Sequence, residues 1–189
     1  MEFTKYIINP IYATYKVFYD KITNYNNTKN INRINNNIDK MTQISCFFSD
    51  PIHIIDNIYL GSAFNAASYY KLEEYNIKTI INVTSEISNY YPDNFEYKNY
   101  LILDINEDSI EEYLEDSYNY ININLHPLED NKNILIHCFM GASRSASILT
   151  YYIMKKYNKS FDEAVNFISN KRNIVNLNTT FADEIKNSI

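Results

Sequence analysis

Ile134-Leu135-Ile136-His137-Cys138-Phe139-Met140-Gly141-Ala142-Ser143-Arg144-Ser145-Ala146 is the stretch that decides the fold. Its first three residues are an apolar run that predicts a buried strand. From Ala146 to Tyr157 the apolar residues recur at helical spacing, so a helix leads out. Between strand and helix there is room for one tight loop. The N–H groups of such a loop and the positive end of the helix converge on one spot and hold an oxyanion there. A thiol at the mouth of that loop ionises, because a helix N-terminus and a nearby guanidinium lower its pKa from about 8.5 to roughly 3.5–7.5. Arg144 can direct two N–H bonds at one phosphate. Nucleophile and clamp in one loop point to phosphoryl transfer through Cys138. With one glycine and no lysine, the loop is not a nucleotide-binding Walker motif. The plainer reading, a buried thiol followed by a turn and a surface charge, leaves the joint occurrence of strand, His, Cys, Gly, Arg, Ser and helix unexplained.

The whole chain bounds what this loop can serve. With 189 residues, 46% of them hydrophobic, it can form one domain with a full core plus an extension. Seventeen basic residues against 23 acidic ones leave a net charge of −6. That balance argues against a general nucleic-acid binder and against a polyphosphorylated lipid as substrate. No window is long and apolar enough to span a membrane. The start, Met1-Glu2-Phe3-Thr4, lacks a signal-peptide core and has Glu2 where myristoylation needs glycine. Two cysteines, Cys46 and Cys138, make no disulfide scaffold, and a thiolate nucleophile suits a reducing intracellular compartment. Cys46 beside Phe47 and Phe48 is expected to be a small buried hydrophobe; a regulatory disulfide with Cys138 under oxidation is its other reading. His53, His126 and His137 are scattered at no metal-ligand spacing, so neither metal nor cofactor is expected. Nineteen tyrosines against two glycines and no tryptophan suggest an AT-rich coding bias, which carries no mechanism.

Along the chain, residues 1–47 stand apart from residues 48–189. Apolar positions Ile8, Ile11, Tyr12, Tyr15, Phe18, Tyr19 and Ile22 predict an amphipathic helix, followed by an Asn-rich linker over residues 24–37. The apolar face of that helix must be covered, by its own domain or by a second copy in a swapped homodimer. From Pro51 strands and helices alternate. Ile52–Ile55 and Ile58–Leu60 form a hairpin about Asp56-Asn57. A helix is predicted over 66–75, strands over 78–83 and 97–103, and a helix over 109–125 with Ser109 and Glu112 as a capping box. After a loop over 126–133 comes the strand at 134–137, then helices over 143–157, 160–171 and 178–187, the second opened by a Ser160/Glu163 capping box. Lys155-Lys156 and Lys171-Arg172 are expected to be helix-terminal charges on solvated faces. The alternation predicts an α/β fold: a central, mostly parallel, twisted sheet of about five strands with helices on both faces and an N-terminal helical extension. The loop of Cys138 then lies at the carboxyl end of a central strand, where open α/β sheets bind ligands.

The run from His137 to Ser145 resembles the protein tyrosine phosphatase signature of His-Cys, five residues, then Arg-Ser/Thr. In detail it is similar to the small dual-specificity phosphatases. Ile58-Tyr59-Leu60-Gly61-Ser62 resembles that family's early strand and turn, Ile80-Ile81-Asn82-Val83-Thr84 its next strand, and Asn178 with Phe181 its closing helix; the likeness covers roughly residues 51–185. The resemblance implies the cysteine-phosphatase fold and hydrolysis of phosphotyrosine and phosphoserine/phosphothreonine through a cysteinyl phosphate. It makes Cys138 the nucleophile. Arg144 and the N–H groups of Phe139, Met140, Gly141, Ala142 and Ser143 become the phosphate cradle. Ser145 would help the thiolate leave, unless it is a simple helix-start residue. His137 would orient the nucleophile region without acting as base. Asn178 would brace the loop, although an N-cap explains its position equally well.

A poor leaving group needs a general acid. Asp104-Ile105-Asn106-Glu107-Asp108 offers several carboxylates. In the family the acid precedes an apolar residue six positions on and an aromatic nine on, which Ile110 and Tyr113 satisfy if the acid is Asp104. The separation from Cys138 (138 − 104 = 34) fits as well. Asp108, the competitor, is better placed for the helix dipole. The loop interior carries no Lys or His, unlike relatives acting on phosphoinositides, and an RNA 5′-phosphatase would want a basic channel. The expected partners are therefore phosphorylated proteins. The readings left open are a catalytically silent phosphoprotein-binding module and a phosphatase for a non-protein phosphate.

Overall fold

The computed structural model describes residues 10–17, 19, 39–125 and 132–188. Its core is a five-stranded sheet in the order β1-β2-β5-β3-β4, formed by β1 (Ile52–Ile55), β2 (Ile58–Gly61), β3 (Ile77–Asn82), β4 (Glu96–Asn99) and β5 (Asn133–His137). Only the β1–β2 hairpin is antiparallel; Asp56 turns it with φ +48°. The apolar strand of the signature is central, parallel to β2 on one side and to β3 on the other.

A strand buried on both faces needs side chains of both parities to find partners. Ile134 and Ile136 pack on the face covered by α5 (Glu111–Asn124), α6 (Arg144–Tyr157), α7 (Phe161–Ser169) and α8 (Thr179–Asn187). Leu135 packs on the other face with Ala66 of α3 (Ala63–Ala67) and Leu72 of α4 (Tyr69–Glu74). The expected two-sided α/β sheet is thus present. Helix α6 runs through the middle of its layer, and every residue from Arg144 to Met154 is buried. In the absence of tryptophan, tyrosines help fill the interior, and three of them bond their hydroxyls there: Tyr100 to Asp116, Tyr152 to Asp56, Tyr91 to the carbonyl of Ala67.

Several elements differ from expectation. The helix expected over 66–75 is two short ones broken at Ser68, the first opened by a Ser62/Asn65 capping box. The strand expected to reach residue 103 stops at Asn99, because its partner β3 stops at Asn82; the Tyr100 N–H makes the last bond, to the Asn82 carbonyl. The Ser109/Glu112 capping box does not form. Ser109 Oγ accepts instead from the Glu111 N–H, and α5 starts with no side-chain cap. The Ser160/Glu163 box does form.

Two helices precede the sheet: α1 over residues 10–17 and α2 (Lys40–Phe48). In α1, the Thr14 hydroxyl lies 2.5 Å from that of Tyr90, and the Tyr15 ring lies 6.5 Å from that of Phe48. The described part of the N-terminal helix therefore rests on its own chain. The Asn-rich tract, His126 and most of the loop before β5 lie outside the described residues. Helix α2 crosses the division drawn at residue 47. Its Phe47 is fully buried with Ala63, Ile87 and Phe139.

Candidate active site

The signature loop joins the end of β5 to the start of α6, and its geometry follows from where its carbonyls are held. The Phe139 carbonyl accepts from the Ala63 N–H at 3.0 Å and that of Ala142 from the Asn176 N–H at 2.8 Å. Between them, Arg172 donates from Nη2 to the Met140 carbonyl and from Nε to that of Gly141, both at 2.8 Å. In a planar trans peptide the C=O and the next N–H point in opposite directions. Four carbonyls pinned outward therefore turn the N–H groups of Met140, Gly141, Ala142 and Ser143 inward. One is seen doing so: the Gly141 N–H donates to Cys138 Sγ at 3.2 Å.

The chain has two glycines, and both are here. Gly141 has φ +69°, and a Cβ on it would lie 2.4 Å from the Gly61 carbonyl oxygen. The turn thus needs glycine for its backbone angle and for the close approach of β2.

Cys138 is buried, and its Sγ also accepts from the Ser145 hydroxyl at 3.2 Å. Burial pushes the thiol up. The Arg144 charge and the hydrogen bonds from Ser145 outweigh it, so the thiol lies below its ordinary range. His137 sits behind the loop, with Nδ1 3.3 Å from the Cys138 carbonyl oxygen. Its complete burial lowers its pKa to about 4, so the ring is neutral near pH 7.

Arg144 is 2% exposed. Its Nη1 and Nη2 each donate to a different carboxylate oxygen of Glu86 at 2.7 Å, and Nη1 also donates to the Ile102 carbonyl at 2.9 Å. Burial opposes the charge, but Glu86 holds the guanidinium firmly protonated. Nε is buried and has no partner among the described residues. A buried donor left over in a ring of inward N–H groups is suited to an oxyanion.

The segment after β4 lies against the loop. Ser143 donates its hydroxyl to Asp104 Oδ1 at 3.0 Å and accepts the Asn178 N–H at 3.2 Å. Asp108 faces away, accepting from the N–H groups of Leu103 and Ser109. The Asn178 side chain takes the N-cap placement, and its amide reaches the Asp104 segment rather than the signature loop. It caps α8 by accepting from the Thr180 N–H, and its Nδ2 donates to the Ile105 carbonyl at 2.9 Å, fastening the Asp104 segment.

Two residues of this centre were not anticipated. Arg172, expected on a solvated helix end, is 1% exposed, and its neighbour Lys171 donates to the Ile54 carbonyl. A Lys-Arg pair after a helix carries no sign of burial; what draws Arg172 in is a row of carbonyls that no backbone N–H reaches. Glu86 could have been suspected as the first charge past β3, since β3 neighbours β5 and both end at the site. Cys46 is half-buried rather than buried, and its thiol donates to Asn173 Oδ1 at 3.3 Å. Both cysteines are free thiols. Among the described residues no His/Cys/Asp/Glu group could hold a metal ion, and no helix is long and apolar enough to cross a membrane.

Comparison with known proteins agrees with this geometry. The family model described as "Dual specificity phosphatase, catalytic domain" matches residues 58–188. The chain is 33% identical over 136 residues to protein phosphatase Slingshot of Drosophila melanogaster, covering 72% of this chain but only 13% of that far longer protein. It is 29% identical over 136 residues to dual specificity protein phosphatase 1 of Arabidopsis thaliana, covering 72% of this chain and 67% of the relative. The crystal structure of DUSP15 superimposes with a TM-score of 0.65 at 24% identity, over 73% of this chain and 86% of that one, a likeness of fold. With its central parallel strand, its cysteine–arginine loop and the family match over residues 58–188, the chain belongs to the dual-specificity phosphatase catalytic-domain family.

Proposed function

We propose that the chain is a protein phosphatase that hydrolyses phosphotyrosine and phosphoserine/phosphothreonine through a cysteinyl-phosphate intermediate. The observation that carries this reading is Cys138 Sγ, a depressed-pKa thiol held by Gly141 N–H and Ser145 Oγ beneath the inward N–H groups and the unpartnered Nε of Arg144. In the first step Cys138 attacks phosphorus in line, and the S–P bond forms as the ester P–O bond breaks. The equatorial oxygens rest on Arg144 and the loop N–H groups, which are fixed before the charge develops. Asp104 gives its proton to the leaving oxygen, then takes one from the water that cleaves the S–P bond. The Ser145 hydroxyl stabilises the departing thiolate in that second step. His137 and Asn178 touch no substrate; they hold the loop and the Asp104 segment.

The partners in this reading are phosphorylated proteins, in a reducing compartment that keeps Cys138 a thiol; nucleic acid, membrane and cofactor have no part in it. A second copy meeting the exposed Tyr12, Tyr15 and Tyr19 of the N-terminal helix belongs to the same reading, and solution mass tests it. The activity test is hydrolysis of p-nitrophenyl phosphate and of a doubly phosphorylated Thr/Tyr peptide with EDTA present. Turnover is expected from the wild type, and Asp104→Asn is expected to lose roughly 10²–10⁴-fold. Peptide binding with no hydrolysis would replace the enzyme by a phosphate-recognition module.

A further inference from the structure

Between the end of β4 at Asn99 and the start of α5 at Glu111 the chain has neither helix nor strand, and Asp104 sits in the middle of that stretch. A catalytic carboxyl on irregular backbone must have its place fixed by neighbours, because no ladder of regular backbone bonds fixes it. The bonds that do so lie on both sides of Asp104. Before it, the Ile102 carbonyl accepts from Arg144 Nη1. At Asp104 itself, Oδ1 accepts from the Ser143 hydroxyl. After it, the Ile105 carbonyl accepts from Asn178 Nδ2.

Helix α8 carries this support further. The Thr180 hydroxyl donates to the Asn106 carbonyl at 3.0 Å, and Glu184 Oε2 accepts from the Ile110 N–H at 2.8 Å. Positions 180 and 184 are four apart and so share one helical face. That face meets the chain just beyond Asp104, at Asn106 and at Ile110. Phe181, Ala182 and Ile185 of the same helix are buried in the core, so the supporting face stands on a fixed base.

We propose that Thr180, backed by Glu184, is a positioning residue for proton transfer: it holds the Asp104 carboxyl in its working place before substrate arrives. The inference rests on the phosphatase reading above, with Asp104 as the acid. A misplacement of about 1 Å at a reacting group can cost on the order of 10²-fold. Loss of the Thr180 bond frees the Asn106 carbonyl and loosens the segment that carries the carboxyl. It impairs protonation of the leaving oxygen and leaves Cys138, Arg144 and the loop N–H groups as they were. The penalty therefore grows with the leaving group's need for a proton.

The experiment measures kcat/KM of the wild type, Thr180→Val and Thr180→Ser on two esters. Phenyl phosphate has a leaving oxygen that needs a proton; dinitrophenyl phosphate has a leaving group that departs as a stable anion. Thr180→Val keeps the branched shape and removes the hydroxyl. It is expected to lose roughly tenfold on phenyl phosphate, to change little on dinitrophenyl phosphate, and to keep wild-type inhibition by inorganic phosphate. Thr180→Ser retains the hydroxyl and should restore the phenyl phosphate rate. In an Asp104→Asn background the Thr180→Val loss should vanish, because the group being positioned is gone. Equal loss on both esters, a loss that persists undiminished in Asp104→Asn, or no loss at all overturns the proposal. Failure of the wild type to turn over either ester would instead overturn the phosphatase reading beneath it.

Discussion

At the scale of single residues the site is an exercise in holding charge inside protein. Cys138 is stabilised as a thiolate by Arg144 and Ser145 against its own burial. The ascending limb of kcat/KM against pH therefore lies below the ordinary thiol range. Ser145→Ala removes a hydrogen bond that favours the thiolate, so a pH–rate profile of that variant should show the limb moved to higher pH. His137 is neutral in the folded chain down to about pH 4, whereas an unfolded histidine takes a proton near 6.5. Below 6.5 the unfolded state then binds the extra proton, and stability falls as pH drops. The loss accumulates to about 3 kcal/mol between pH 6.5 and 4. Urea unfolding across this window should show it, and His137→Asn should flatten the slope. That Cys138 and Arg144 share one loop was legible in the sequence, because one short run holds thiol, turn and guanidinium. Glu86 was not, since a lone carboxylate after a strand has no periodicity to mark it.

At the scale of elements, the signature loop owes its shape to what lies behind it. Arg172, from the turn after α7, holds two of the four outward carbonyls, and its Nη2 also reaches the Cys46 carbonyl at 3.1 Å, tying α2 to the same point. Arg172→Met keeps comparable volume but leaves those buried acceptors unpaired. It should cost about 2–4 kcal/mol in denaturant unfolding and weaken competitive inhibition by inorganic phosphate. The strands were readable from short apolar runs and the long helices from period-3.6 patterns. Their ends were less so. The break at Ser68 and the early end of β4 depend on neighbours: a Ser62/Asn65 box for one, the length of β3 for the other. Of two similar Ser-x-x-Glu signals, Ser160/Glu163 forms a box and Ser109/Glu112 does not, because Ser109 is taken up by its own turn.

At the scale of the whole molecule, sheet order explains why these residues meet. β5 is central, so the ends of β2, β3 and β5 deliver Gly61, Glu86 and Cys138 to one side. The alternation of strands and helices carried that topology in the sequence. The role of the segment before the sheet was hidden, because an aromatic pair at Phe47-Phe48 does not say what it packs on. Phe47 lies 5.4 Å ring-to-ring from Phe139 of the signature loop, outside the family match that starts at residue 58. Phe47→Ala should lower stability by about 3–5 kcal/mol in thermal or chemical unfolding, and it should slow turnover through Phe139 although it removes no catalytic group.

The central claim is that phosphate passes through Cys138. It is tested most directly by mixing Asp104→Asn, in which hydrolysis of the intermediate is slowed, with a rapidly reacting aryl phosphate, quenching in acid, and locating the added mass by peptide mass spectrometry. The account predicts one phosphoryl group on the peptide bearing Cys138, absent in Asp104→Asn/Cys138→Ser. Turnover with no phosphorylated cysteine, or with the phosphoryl group on any other residue, would contradict it.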